Sequence, residues 1–562
     1  MGSDRRHDLD ALRAGAMLLG IVYHAALSLA LGFPWFVQDP SANKVLNGFQ
    51  AWVHGFRMPL FFIVSGFFTA MLWKKRGAIS LLGHRFRRIL LPCLVGAFTV
   101  VPISNYMIME GLKDGGKRRL AAVETLDPAQ TIWAAIRQSN PAATEKHLEG
   151  GFDWKSLHPT YRVTPLQWSA IVGDAQSALA ILNRGCDPSI ASPDGNTPLH
   201  AAMFFGHFET AKLLLEKGAD PTKKSLTGET PLDPLRSDLN VVTFIGGLLE
   251  VPVDQARVRR GRDQIVAELI PHIPAAQNGL GLSVATNPSG GVEPTRFDGN
   301  VVRYFLFDFP MYGHLWFLWV LWWLVVLFVI AQALLLGIHR IAPIPPVPWA
   351  WVISPWTIGA LVLVTLYPIS KMLSVGTLVG PDTTVTVIPA WHVFLYYAIF
   401  FFFGIGYYLS DDQQGKLGSS WKILIPLTML VVFPIALECT TGLFGWKDTS
   451  LLKAWGYPLN LFSQSLFAWW MALGCIGLFR NCLASERPWI RYFSDASYWL
   501  YIAHLPVVVA FQTWIAWKPY NAYVKLFLIT GLCVGMLLCT YQLFVRKTWI
   551  GRFLNGPQPN KR

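Results

Sequence analysis

The sequence predicts an all-α protein, a polytopic membrane bundle of about ten spans that carries an inserted polar α-helical solenoid. Three observations predict this class. The 562 residues are 53% hydrophobic and 14% charged, with a mean hydropathy of +0.37, which is too apolar for a soluble protein of this size. Apolar runs long enough to cross about 30 Å of hydrocarbon recur in both end regions. Between them, residues 110–300 are polar and contain a repeated motif.

Ten apolar runs account for the predicted membrane bundle. They lie near residues 14–31, 57–73, 89–108, 315–337, 350–370, 391–409, 421–438, 456–479, 493–514 and 523–545. If the first run starts in the cytoplasm, 20 of the 28 basic residues outside 110–300 fall in inner loops and termini, whereas the opposite orientation leaves eight there. Because cytoplasmic loops are enriched in Lys and Arg, we expect a multi-pass protein of the inner (plasma) membrane with both termini cytoplasmic.

The net charge of +13 does not predict a nucleic-acid partner. Residues 110–300 hold 19 basic and 22 acidic residues, so the basic excess lies in short loops between apolar runs. This is the pattern of membrane topology and not of a phosphate-binding face. The seven cysteines are scattered and give neither a disulfide framework nor metal-binding spacing. We therefore expect a lipid bilayer as partner, no nucleic acid and no metal.

A repeat with a period of 33 residues organises the polar region. Thr-Pro-Leu recurs at Thr164, Thr197 and Thr230, and the tails LNRGCDPS and LLEKGADPT follow the first two copies. Thr-Pro-Leu-His-x-Ala at this period resembles the ankyrin repeat, which predicts an ankyrin-repeat solenoid. The predicted organisation is a membrane block at 1–109 (spans 1–3), an ankyrin insert at 110–275 with a capping repeat at 132–153 and a final helix at 262–273, a linker at 276–300, and a membrane block at 301–562 (spans 4–10).

The first span carries ionisable residues in the string LDALRAGAMLLGIVYHAAL, namely Asp10, Arg13 and His24. An eleven-residue step on an α-helix returns to nearly the same face about 16 Å further along, so Arg13 and His24 line one side of the helix without touching. An ionisable side chain inside a span is costly and usually faces a polar cavity, which favours a functional His24. Arg13 is equally consistent with snorkelling to the inner headgroups.

The spacing of Arg13 and His24 resembles that of the acyltransferase 3 family of integral-membrane O-acyltransferases. The likeness continues through HGFRMPLFFIVSGFF from residue 54, HRFRRILLP from 84, GHLWFLWVL from 313 and YIAHLP from 501. These strings cover both membrane blocks, about two thirds of the chain, and look most like the branch called glucan biosynthesis protein C, which succinylates periplasmic glucans. The ankyrin insert departs from that branch, where only a short loop is expected.

The resemblance implies an enzyme, an acyltransferase that moves an acetyl or succinyl group from cytoplasmic acyl-coenzyme A to a hydroxyl of an extracytoplasmic glucan or other glycan. Acyl-CoA would be a co-substrate, and no tightly bound cofactor is expected. Arg85 and Arg88 match the family's Arg-x-x-Arg pattern and would hold the donor phosphates through charge-assisted hydrogen bonds. A positive-inside signal explains the same two residues equally well.

O-acylation needs a base for the attacking hydroxyl and support for the oxyanion. His24 is the predicted base, with Asp10 orienting Arg13 one turn away and Arg13 positioning the donor. Three residues of later spans are predicted to bind the acceptor or support the oxyanion: Arg57, His314 and His504. Ser65, in a VSGFF turn, is the alternative nucleophile for a covalent relay, but the sequence places no base for it.

Two other functions compete with acyl transfer. The first is a proton-coupled transporter or channel with an ankyrin binding module, against which the sequence shows neither an internal repeat between its membrane halves nor a membrane-embedded Asp or Glu pair. The second makes the ankyrin domain the active part and the membrane block a degenerate anchor, which would not need the arginines and the histidine of the family pattern. Three spans precede the insert, so it is predicted to be extracytoplasmic, where it would bind a protein or glycan partner.

Overall fold

The computed structural model describes residues 6–31, 35–123, 127–158, 161, 163–192, 194–225, 229–273, 311–342, 348–372, 379–446 and 449–555. In these ranges the chain is helical apart from its loops and one isolated β-bridge between Ala30 and Asn43, which confirms the all-α prediction. The chain forms two compact units, a membrane unit of residues 1–33, 39–108 and 300–562 and an ankyrin unit of residues 34–38 and 109–299. The predicted linker at 276–300 lies outside the described residues.

The helices before the insert are α1 (His7–Leu27), α2 (Lys44–Arg76), α3 (Ala78–Arg85) and α4 (Leu91–Val123). The helices of the polar region are α5 (Ile132–Arg137), α6 (Pro141–Glu149), α7 (Pro165–Val172), α8 (Ala175–Asn183), α9 (Pro198–Phe205), α10 (Phe208–Glu216), α11 (Leu239–Leu248) and α12 (Gln255–Glu268). The helices of the second membrane block are α13 (Trp316–Ile341), α14 (Pro355–Ile369), α15 (Trp391–Leu409), α16 (Trp421–Leu427), α17 (Phe433–Thr441), α18 (Ser450–Cys482), α19 (Pro488–Ile515), α20 (Ala522–Thr540) and α21 (Trp549–Asn555).

Eight helical stretches of the described residues are long and apolar enough to cross a membrane: Lys44–Arg76, Ala78–Gly111, Gly313–Ile341, Trp391–Leu409, Trp421–Thr441, Ala454–Cys482, Pro488–Ile515 and Ala522–Val545. The multi-pass prediction is therefore confirmed, but its count of ten is not reached. The two remaining predicted spans are helices that fall short. In α1, Asp8, Asp10 and Arg13 lower the hydropathy, and α14 has only 15 residues, about 22 Å of helix.

Helix α1 lies among the other membrane helices and not at their edge. It packs against α2, α18, α19 and α20, and its carboxylates Asp8 and Asp10 are buried. Such a position explains how a span with three charges persists, because ionisable residues in membrane helices face the interior of the bundle and are paired there. Two of the helices that pack against α1 carry other candidate residues, Arg57 on α2 and His504 on α19.

Glycines set the close packing of α2 against α15. A Cβ at Gly66 would overlap the carbonyl oxygen of Phe401, and a Cβ at Gly404 would overlap that of Ile63, so the two backbones approach through small residues, as membrane helices often do. Ser65 therefore lies inside helix α2 and not in a turn. The predicted VSGFF turn is wrong, because Gly66 serves helix contact and does not break the helix.

The 33-residue motif forms the repeat units of the ankyrin region. Thr164 caps α7, and Thr197 caps α9 in a capping box with His200, as Thr-Pro at a helix start predicts. First helices α5, α7 and α9 pack in one layer and second helices α6, α8 and α10 in another, as expected for an ankyrin solenoid. The third motif, at Thr230, starts only a 3₁₀ turn, Asp233–Arg236.

Helix α12 closes the described part of the solenoid against α9 and α10. It begins at Gln255 because Asp254 caps its first turn, so the predicted final helix at 262–273 starts too late. Arg262 anchors it by donating hydrogen bonds from Nε to the carbonyl of Phe204 (3.2 Å) and from Nη1 to that of Ser237 (2.6 Å). Burial lowers the pKa of this guanidinium to about 10.

Candidate active site

Three histidines from distant parts of the sequence meet in the membrane unit. His24 lies on α1 and His504 on α19, and their ring centroids are 5.0 Å apart. His314 lies in the 3₁₀ turn that precedes α13, and its ring centroid is 5.2 Å from that of His504. The structure thus brings together three of the predicted site residues, which we call the histidine cluster.

Backbone carbonyls fix the rings of His314 and His504. Nε2 of His314 donates to the carbonyl of Ile502 (2.9 Å), and Nδ1 of His504 donates to that of Tyr501 (2.7 Å). The carbonyl of Ile502 is free to accept because its helical partner would be the N–H of residue 506, which is Pro506. Since a carbonyl only accepts, each ring carries a hydrogen on the named nitrogen, and in its neutral form it has a lone pair on the other.

Tyr501 and Gln512 support the histidine cluster from α19, and the sequence analysis missed both. The hydroxyl of Tyr501 donates to the carbonyl of His314 (2.7 Å). Nε2 of Gln512 donates to the carbonyls of His24 (2.8 Å) and Ala25 (3.2 Å) near the end of α1. Gln512 lies eight residues after His504 in an apolar helix, about 80° around the helix from it.

Arg57 lies beside the histidine cluster. Its guanidinium carbon is 5.0 Å from the centroid of the Tyr23 ring, and that ring lies edge-on to His24 at 5.0 Å and stacks on His54 at 5.8 Å. Gly20 makes room for it, since a Cβ there would overlap Nη1 of Arg57. No acidic side chain of the described residues forms an ion pair with Arg57.

The charged residues near the start of α1 make separate contacts. Nη2 of Arg13 lies 3.4 Å from the Oδ1 of Asp10 and donates to the Oγ of Ser494 on α19 (2.7 Å). Arg13 contacts these two residues, whereas the contacts of His24 described above lie eleven residues further along the same helix. The candidate site therefore has two ends, one at Arg13 and one at His24, which are separated along α1.

The Arg-x-x-Arg pair lies at the junction between α3 and α4. Nη2 of Arg85 donates to the Oγ1 of Thr69 on α2 (3.1 Å). Arg88 belongs to a π-helical turn, Phe86–Leu90, a feature that is frequent at functional sites, and its carbonyl accepts from the hydroxyl of Tyr498 (2.6 Å). Arg13 and Arg88 are close enough to Arg85 to interact with it electrostatically.

No group of three His, Cys, Asp or Glu side chains in the described ranges is arranged to hold a metal ion. A cavity of about 1160 Å³ lies elsewhere, lined by α14, the loop 410–420, α16 and α18, and the histidines do not line it. The arrangement around His24 instead offers neutral imidazoles and one guanidinium, which suit proton transfer and stabilisation of negative charge.

Comparisons with known proteins match both the membrane and the polar regions of the chain. A family model described as an acyltransferase domain matches residues 6–112 and 265–546, and an ankyrin-repeat model of three copies matches residues 132–225. "Glucans biosynthesis protein C" of Escherichia coli K12 is 30% identical over 111 residues, which is 20% of this chain and 28% of the relative. The proteins of the same name from Shigella dysenteriae serotype 1 and Salmonella paratyphi B are 30% identical over 135 residues (24% and 34%) and 110 residues (20% and 28%).

These matched segments span about a third or less of the length of the curated relatives. The acyltransferase match, by contrast, covers well over half of the 562 residues and includes every residue of the histidine cluster. The chain therefore belongs to the acyltransferase 3 family of integral-membrane O-acyltransferases.

Proposed function

We propose that the protein is a membrane O-acyltransferase that moves an acyl group, acetyl or succinyl, from cytoplasmic acyl-CoA to a hydroxyl of an extracytoplasmic glucan or other glycan. The observation that carries the proposal is the histidine cluster inside a bundle of this family. The relatives named for glucan biosynthesis favour a glucan acceptor.

In the proposed reaction, His24 takes the proton of the acceptor hydroxyl as its oxygen attacks the thioester carbonyl. The carbon–oxygen bond forms, the tetrahedral intermediate collapses with cleavage of the carbon–sulfur bond, and His24 returns the proton to the departing thiolate of coenzyme A. A neutral imidazole is suited to this exchange near neutral pH. The lone pairs that His314 and His504 retain are positioned to accept hydrogen bonds from other hydroxyls of the acceptor, which would orient it.

Arg57 is proposed to stabilise the negative charge that develops on the thioester oxygen. Preorganised donors in a dry site stabilise such charge at little reorganisation cost. Its contact with Tyr23 and the space left by Gly20 hold the guanidinium beside α1. At the other end, Arg13, Arg85 and Arg88 are proposed to bind the donor phosphates, with Asp10 orienting Arg13.

Acyl transfer can be measured directly on purified full-length protein in nanodiscs. We expect radiolabel from acetyl-CoA or succinyl-CoA to appear on a glucan acceptor, and the envelope glycans of cells that lack the gene to lose one acyl mass by mass spectrometry. Absence of transfer with either donor, together with a proton-dependent flux of solute in vesicles, would support the transporter alternative.

The proposed orientation places both termini in the cytoplasm and the ankyrin unit outside. An exposed position in that unit, Lys212, provides the test, because Cys186 is buried and burial raises the pKa of its thiol to about 12. In intact spheroplasts we expect a membrane-impermeant thiol reagent to label Lys212→Cys but not Gln414→Cys, an exposed position of a predicted inner loop. The reverse pattern would overturn the orientation.

A further inference from the structure

Helix α11 packs against α12 and runs from the α9 side of the ankyrin unit toward α5. It follows the 3₁₀ turn Asp233–Arg236, which packs against α9, and its far end contacts Arg137 on α5. The path from α9 to α5 passes α7, two helix-to-helix steps of 8–10 Å, or roughly 16–20 Å. The eleven steps from Leu239 to Glu250 span about 17 Å at helical rise. Helix α11 thus has the length needed to lie across the face formed by α5, α7 and α9, which we call the first-helix face.

An apolar stripe on α11 joins the core of the ankyrin unit. Val242 is fully buried and belongs to the same apolar cluster as Ile136 of α5 and Trp168 of α7, while Ile245 and Leu249 pack against that cluster. These positions follow the i, i+3, i+7 spacing of a helix that lies in a groove. The neighbouring Val241, on the same helix, is 46% exposed, so the apolar contact is confined to one side of α11.

Arg137 caps the far end of α11. Its Nη2 donates to the carbonyl of Leu249 (3.0 Å) and to that of Glu250 (2.5 Å), and it lies 3.6 Å from the Glu250 carboxylate. Its guanidinium carbon is 5.2 Å from the centroid of the Trp168 ring. A cation at a helix C-terminus satisfies the last carbonyls and complements the helix dipole. The first-helix face therefore recognises a helix end as well as an apolar stripe.

Glu250 occupies a backbone position that favours glycine. The amide of Val251 donates to the carbonyl of Gly246 and that of Glu250 to Gly247, which is the bonding pattern of a Schellman motif. The residue at its left-handed position is Glu250, with φ of +57°, a conformation that is less favourable for glutamate than for glycine. What glutamate adds there is the carboxylate that pairs with Arg137, so its side chain serves recognition.

We propose that the first-helix face is a docking site for an amphipathic helix of a partner protein that ends in an acidic residue, and that α11 is an internal occupant displaced by this partner. Solenoid repeats bind partners on such extended faces. The contacts of α11 indicate what a partner helix needs: apolar residues at i, i+3 and i+7, followed by a carboxylate that pairs with Arg137. The strained backbone at Glu250 weakens the binding of α11 to the first-helix face. A partner helix whose final acidic residue has an unstrained backbone would bind more tightly.

Hydrogen exchange of the wild-type full-length protein tests whether α11 opens separately. We expect its amides to exchange at least tenfold faster than those of α7 and α9, because an occupant that can be displaced opens without the repeats. Equal protection of α11 and α9 would show that α11 opens only with the whole unit, and would overturn the proposal.

A labelled peptide of residues 239–254, LNVVTFIGGLLEVPVD, tests the docking site itself. Val242→Asp should release α11 and allow the full-length protein to bind the peptide at least tenfold more tightly than the wild type. Val241→Asp, the same change on the exposed side, should behave as the wild type. A peptide carrying Glu250→Lys should lose most of the gain. Equal binding by the two variants, or loss of amide protection in α9 and α10 by Val242→Asp alone, would overturn the proposal.

Discussion

The two units of this protein use histidine in opposite ways. In the ankyrin unit, His200 engages both ring nitrogens, since Nδ1 accepts from the amide of Thr197 (3.1 Å) and Nε2 donates to the carbonyl of Glu229 (3.1 Å). In the membrane unit, Nε2 of His314 is held by a carbonyl, whereas its Nδ1 is buried with no hydrogen-bond partner among the described residues. A histidine whose two nitrogens are engaged holds structure together. One with a spare lone pair beside other such rings is equipped for proton transfer.

The largest expected effect comes from removing the predicted base. His24→Ala should reduce acyl transfer by about two to four orders of magnitude, the usual loss for a missing general base, while the purified protein keeps its thermal stability. Transfer in nanodiscs with saturating donor is the measurement. His392→Ala, at the predicted outer end of another span, is the control and should keep activity. If His24→Ala transfers acyl groups at the wild-type rate, His24 is not the general base.

Replacing the arginines proposed to bind the donor should have a smaller effect, and on KM instead of kcat. Replacing both Arg85 and Arg88 with Gln should raise the apparent KM for acyl-CoA by roughly ten- to a hundredfold and leave kcat nearly unchanged. Each replacement exchanges a charge-assisted hydrogen bond of about 1.5–3 kcal/mol for a neutral one of about 0.5–1.5 kcal/mol, and only donor binding is weakened. Initial rates against donor concentration give the two constants. Arg87→Gln, an exposed neighbour, is the matched control. Loss of membrane insertion with an unchanged KM would instead assign the pair to topology.

A structural histidine should affect stability and not turnover. His200→Ala leaves the amide of Thr197 and the carbonyl of Glu229 without their partner, which should cost roughly 1–3 kcal/mol of ankyrin stability. Hydrogen exchange of α7 to α10 in the full-length protein measures this cost. Acyl transfer per folded molecule should stay at the wild-type level, and a fall in transfer with unchanged exchange would contradict the structural role.

An effect of similar size is expected from the pH dependence of the ankyrin unit. Burial lowers the pKa of His207 to about 4, below the ordinary 6.5. The unfolded chain therefore binds a proton below pH 6.5 that the folded unit accepts only near pH 4, so stability present above pH 6.5 is lost as the pH falls through this window. The loss should approach roughly 2–3 kcal/mol. Hydrogen exchange at about pH 7 and about pH 4.5, corrected for intrinsic rates, measures it, and a His207→Gln protein with the same slope would refute it.

Ionisable residues in apolar runs and short family strings carried most of what the sequence predicted about the site. His24, His314 and His504 stand out because charge inside a span is costly, and the structure places their rings in contact. Tyr501 and Gln512 did not stand out because their hydrogen bonds go to carbonyls of other helices, and which carbonyls lie nearby is decided by packing. Pro506 indicates that the carbonyl of Ile502 lacks its helical partner, but it does not indicate that His314 takes that place.

In the ankyrin unit, the 33-residue period predicted the helices that begin with Thr-Pro, because capping is local and leaves a signature in the sequence. The period places a second helix at 241–249, close to α11 (Leu239–Leu248). It did not predict the contacts of that helix with Arg137, more than a hundred positions away. The count of ten spans also failed for a physical reason. Length and hydropathy define a membrane helix that faces lipid, whereas α1 is surrounded by protein and α14 is short.

The hydrogen bond between Gln512 and His24 joins residues 488 positions apart, which has a consequence during synthesis. At about 5–20 residues per second, the ribosome needs roughly 25–100 s between making the first residue and the second. During that interval α1 is in the translocation machinery or the bilayer without a complete α19, and α20 is made later still. A chain that stops before residue 504 therefore lacks His504 and has no histidine cluster.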